Sequence, residues 1–150
     1  MAAEIRDLGI GAERAYTPSR IRLVAVGAAL VLVATAAELL LASVLRAVFA
    51  VPAGFSPLSA PAVATTTIVG MIGATVVFGW MARAQQDPRT AFVRIALVAL
   101  VLSWLPDLGI WITGVFPHTT EGGIISLMVL HPVAAGLAIG ILYRFGVPTR

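Results

Sequence analysis

Residues 91–116 read AFVRIALVALVLSWLPDLGIWITGVF. Apart from Arg94 and Asp107 the run is uncharged. At ~1.5 Å of rise per helical residue it reaches beyond the ~30 Å hydrocarbon core of a bilayer. It lacks the period-2 alternation of a barrel strand, so it reads as a membrane-crossing helix. A carboxylate placed well inside such a helix is costly in lipid and marks a face turned toward the protein interior.

Three further stretches share the pattern, at about Ile21 to Ala50, Pro61 to Ala82 and Gly122 to Phe145. The chain is 59% hydrophobic and 11% charged, with a mean hydropathy of +0.99. Too few polar residues remain to cover a soluble surface. The expected fold class is therefore all-α, a polytopic transmembrane four-helix bundle. Its 150 residues hold one domain, over residues 21–146. A polar arm (residues 1–20) precedes it and a short tail (147–150) follows. Thr17-Pro18-Ser19 gives a helix-start signal for the first span. Cysteine is absent, which excludes disulfides, thiol catalysis and thiolate-bound metal.

All ten basic residues are arginine, and their distribution sets the topology. Arg6, Arg14, Arg20 and Arg22 precede or open span 1; Arg83, Arg89 and Arg94 flank the second connection; Arg144 and Arg150 lie at the C-terminal end. Arg46 is left alone on the other side. The positive-inside rule then puts both termini in the cytoplasm. Scattering along membrane edges is unlike a phosphate-binding patch, so no nucleic-acid partner is expected. Arg46 reads as a residue whose stem lies along apolar surface while its head reaches the outer interface.

Glu38, Asp107 and His131 lie inside spans 1, 3 and 4. Asp107 stands nine residues before the outer end of span 3 at Phe116, and His131 nine residues after the outer end of span 4 at Gly122. Both therefore lie ~13–14 Å below those ends, while Glu38, twelve residues before Ala50, lies ~18 Å down. One layer can hold all three as a proton- or ligand-handling centre, or as packing glue through an Asp–His pair or a Glu38–Arg46 pair. Helical phase sets Ser103 and Trp111 on the Asp107 face with Trp104 at its margin, and Thr35 beside Glu38. These four are the expected supporting pocket residues. His131 shares its face with Ala135 and Ala138, which leaves room beside it for a ligand or another helix.

Pro106 precedes Asp107 and Pro132 follows His131. Each removes a backbone donor and frees the carbonyl four residues back, at Leu102 and Met128, which must then find another partner. Gly136-x-x-x-Gly140 in span 4 and Gly70 with Gly73 in span 2 form small-residue seams for close helix packing within the bundle, or toward a second copy or a larger membrane complex. Trp80 and Trp111 fall where an aromatic belt meets the two interfaces.

Leu105-Pro106-Asp107 in span 3, with His131 and Ala134-Ala135 in span 4, resembles uncharacterised small four-span integral membrane proteins of GC-rich, actinobacterial-type bacteria. The resemblance covers roughly residues 21–145 and implies the architecture without an activity. No hydrolase, zincin, Walker or dinucleotide motif occurs, so no catalytic residue is assigned and the cofactor is left unknown. The first functional reading is a small binding or accessory protein in the lipid bilayer. A transporter or channel subunit using the same centre comes second. An intramembrane metal- or haem-dependent enzyme, with Asp107, His131 and Glu38 as metal candidates, comes third.

Overall fold

A computed structural model describes residues 18–85 and 87–146. Most of the expected polar arm and the whole of the expected tail, 147–150, lie outside the described residues. Four helices form: α1 (Arg20–Val48), α2 (Ala60–Ala84), α3 (Pro88–Thr113) and α4 (Glu121–Phe145), with a short 3-10 turn at Ser56–Leu58 between α1 and α2. Each of the four is long and apolar enough to cross a membrane.

The helix ends follow local chemistry. Ser19 Oγ accepts the Arg22 N–H (3.2 Å), and the Thr120 hydroxyl accepts the Gly123 N–H (3.1 Å). Each satisfies a donor that a first turn leaves orphaned. Span 3 begins earlier than expected because Asp87 accepts the Thr90 N–H (3.2 Å) and Pro88 occupies the first turn, where its missing donor is harmless. It also ends earlier: Gly114 takes the left-handed conformation, φ 57°, and stops the helix. Span 1 stops at Val48 and the chain turns through Ala50, φ 48°.

The helices stand as an antiparallel ring in chain order. α1 packs on α2 and α4, while α3 packs mainly on α4 and more lightly on α2. Two apolar cores fill the ring. One, at the arginine-rich end, centres on Leu30, Met71, Phe78, Phe92 and Leu142. There Phe78 and Phe92 meet edge to face at 5.2 Å, a favoured aromatic geometry. The other core joins Phe55, Leu58 and Val63 to Ile124, Leu127 and Leu130. Arg22 ties the arginine-rich end by donating from Nε to the Phe145 carbonyl (3.0 Å), and Arg89 lies over the Tyr143 ring at 5.0 Å.

Helix α3 is the peripheral member. Phe92 and Asp107 are its only buried residues, and its apolar side chains, Leu97, Val101, Leu105 and Ile112 among them, face outward. Trp80 and Trp111 are exposed as well. In water this surface would be an aggregation hazard, while against lipid it costs little.

Two packing expectations are corrected. Arg46 does not pair with Glu38; its guanidinium instead donates to the carbonyls of Pro52 (3.2 Å) and Leu58 (2.8 Å) and so fastens the connection between α1 and α2 to α1. Gly70, Gly73, Gly136 and Gly140 are exposed, and a Cβ at any of them would meet nothing within 4 Å. Close packing occurs at other glycines. Gly27 sits against the Thr75 side chain and Gly79 against Leu23, which brings α1 and α2 together.

Candidate functional site

Of the three ionisable residues inside the apolar spans, the fold joins two directly. His131 Nε2 lies 2.8 Å from Asp107 Oδ2, and this is the one ion-pair contact among the described residues. Equal depth on antiparallel neighbours makes the meeting possible, because α3 and α4 run past each other at the same rise per residue. Asp107 is buried, whereas the His131 side chain keeps 34% exposure. The carboxylate is thus the inner partner and the imidazole the outer one.

Glu38 is also buried, at 2% exposure, and its Oε1 has no hydrogen-bond partner; Thr35 Oγ1, one turn away, is in the same condition. These two orphaned oxygens on one face of α1, a hydroxyl and a carboxyl, call for a hydrogen-bond partner such as a water. Among the described residues no three His, Cys, Asp or Glu side chains converge as a metal-binding group, so Asp107, His131 and Glu38 do not form a ready-made donor set.

A second interhelical bond supports the pair. Trp104 Nε1 donates to the Met128 carbonyl at 3.1 Å, the carbonyl that Pro132 deprives of its helical donor. The indole therefore repairs the break that proline makes and locks α3 to α4 one turn from His131. Trp104 acts here through its N–H, and it does not line the neighbouring groove.

That groove opens between α2 and α3, with α4 as its floor. It has a volume of about 330 Å³ and is lined by Gly70, Gly73, Ala74 and Val77 from α2, by Phe92 to Ser103 on α3, and by His131, Ala134, Ala135 and Ala138 from α4. Gly70, Gly73, Ile95 and Ala99 are exposed along its mouth. Of the four supporting residues expected from helical phase, Ser103 lines the groove, while Trp104, Trp111 and Thr35 do not. The glycines at 70 and 73 contribute in a way that spacing did not predict: their missing side chains leave the space.

A family model described as a family of unknown function, DUF6069, matches residues 15–146. The chain belongs to this family. No curated protein matches it. No solved structure matches it either. For this DUF6069 protein the chemistry must therefore come from the site, since a fold alone never fixes function. The matched span contains all four helices together with Asp107, His131 and the groove.

Proposed function

We propose that this protein is a small multi-pass membrane protein of the bacterial inner membrane, with both termini cytoplasmic, and that it binds a small ligand or proton at the His131–Asp107 pair. The single observation that carries this reading is an imidazole about one-third exposed, held at 2.8 Å by a buried carboxylate, beside an open apolar groove. A carboxylate fixes the orientation and tautomer of a histidine and stabilises its protonated form. Such a device suits proton exchange and ligand capture, and it is expensive as packing alone, because an interhelical hydrogen bond contributes only about 0.6 kcal/mol on average. Lipid contact is supported by the outward apolar face of α3, and the orientation by gathering of the arginines at one end of the ring.

Glu38 extends the centre in this proposal. Its burial on α1 and its orphaned oxygen make it the second proton holder of this reading. The open Gly136/Gly140 seam is the surface on which docking to a second copy or a larger membrane assembly would be sought.

The test is nitrogen NMR of the histidine side chains in lipid nanodiscs across pH, on the intact protein and on Asp107→Asn. The expected result is a His131 imidazole whose Nε2 signal reports a strong hydrogen bond that the substitution weakens. Identical His131 spectra in the two proteins would remove the pair, and the functional reading with it.

A further inference from the structure

The groove beside His131 is chemically one-sided. Of its lining side chains only Ser103 and His131 carry oxygen or nitrogen. Ser103 is the last lining residue of α3 and His131 the first of α4, so in an antiparallel pair both stand at the same end. From there to Phe92 the α3 wall continues for eleven residues, ~16 Å, and every other α3 residue that lines it is apolar.

The valences left open at the polar end are of one kind. Ser103 Oγ spends its hydrogen on the Leu100 carbonyl at 2.7 Å, leaving lone pairs. Contact with the Asp107 carboxylate at Nε2 selects, for the neutral imidazole, the tautomer that carries its proton there, and in that tautomer Nδ1 is a bare acceptor. Nδ1 makes no hydrogen bond among the described residues. Two acceptors without a donor call for a ligand that brings one.

We propose that the groove binds a lipid-soluble alcohol or phenol, a single hydroxyl donor on a slender apolar body. The hydroxyl is held by His131 and Ser103, and the chain runs over Ala134 and Ala138 toward Phe92. This rests on the reading of His131–Asp107 as a working centre. The ligand arrives sideways from lipid through the mouth at Gly70, Gly73 and Ala99, where no side chain bars the way.

The experiment compares the isoprenoid alcohol farnesol with its methyl ether, which lacks only the donor, for binding to the protein in nanodiscs after subtraction of empty discs. Farnesol is expected to bind about tenfold more tightly than the ether, the worth of one good hydrogen bond. His131→Gln and, independently, Ser103→Ala should shrink that ratio without abolishing ether binding. Gly73→Leu, whose side chain would project into open space, should weaken both probes and leave the fold intact. Equal binding of alcohol and ether by the unaltered protein would overturn the proposal, as would undiminished farnesol binding by Gly73→Leu. Should either occur while His131 still responds to Asp107→Asn by NMR, the ligand class fails and the proton-handling centre stands.

Discussion

Helix α2 has two differently used faces. Toward α1 it closes: Gly79 receives Leu23, and Thr75 receives the backbone of α1 at Gly27. Toward α3 it opens, because Gly70 and Gly73 face empty space and line the groove. The same residue type lets two helices touch on one side and keeps two helices apart on the other. The difference lies in what stands opposite, a filled side chain or a row of alanines.

Removing the aromatic contact that ties α3 to α2 should break this arrangement most severely. Phe78 is fully buried and meets Phe92, the only buried apolar residue of α3. Truncation of a buried Phe costs about 3–5 kcal/mol in water-soluble cores. In lipid the transfer part is reduced, because the alternative to packing is an equally apolar solvent. Phe78→Ala should therefore cost about 2–3 kcal/mol in a reversible unfolding assay in bicelles, with α3 the first helix to loosen. Val76→Ala, on the exposed side of α2, should cost close to nothing.

The closed and open faces separate next under glycine substitution. A Cβ at Gly27 would fall 2.6 Å from Thr75 Cγ2, and Thr75 is held in place by its bond to the Met71 carbonyl at 2.8 Å. Gly27→Ala should destabilise by about 1–3 kcal/mol through overpacking. Gly73→Ala, with open space beyond its Cβ, should be neutral or stabilise by about 0.5–1 kcal/mol, since alanine is the better helix former. Equal losses at the two sites, read by the same unfolding assay, would mean that the two faces of α2 do not differ.

Much of the architecture was legible beforehand, and for definite reasons. A span in lipid announces itself by length and apolarity, and the depth of Asp107 and His131 follows from counting residues at fixed rise. What could not be read is which face of each helix turns inward. In a soluble bundle the apolar stripe answers that. Here the faces toward lipid and toward the core are both apolar, so Leu97 and Leu30 look alike in the sequence although one is exposed and the other buried. For the same reason the close-packing role fell to Gly27 and Gly79 rather than to the more conspicuous seams at Gly70/Gly73 and Gly136/Gly140. A glycine seam shows that two surfaces can approach, and only the partner, Thr75 or Leu23, shows that they do. The Trp104–Met128 bond was half-visible. Pro132 announced a freed carbonyl, but its donor lay on another helix.

That bond gives a smaller prediction with a built-in control. Trp104→Phe removes the donor to Met128 O and should cost about 1 kcal/mol, within the range of interhelical hydrogen bonds in membranes. Pro132→Ala restores a backbone N–H four residues after Met128, so the carbonyl regains a helical partner. In the double variant the cost of Trp104→Phe should largely vanish. A cycle measured by unfolding in bicelles should therefore show the two substitutions to be strongly non-additive. Additive costs would mean that the indole and the proline break are unrelated.

The smallest effect lies at the end of the groove-forming helix, outside the apolar span. Asp87 caps α3, and the Thr90 side chain and backbone N–H hold its carboxyl below the usual carboxylate range. Because the folded value is the lower one, its stabilisation is fully present above the unfolded value, about pH 4, and is lost as pH falls through the folded value. Asp87→Asn keeps a capping oxygen and removes the charge, so it should flatten this acid dependence while leaving stability at neutral pH nearly unchanged. Hydrogen exchange at the first turn of α3 reads the effect locally, where a global assay would miss it. Exchange at Ala91 and Phe92 should quicken below pH 4 in the unaltered protein and show no such step in the variant. Because the light contact between α2 and α3 leaves that turn to its own cap, the same acid treatment should not touch the start of α1, whose cap is the uncharged Ser19.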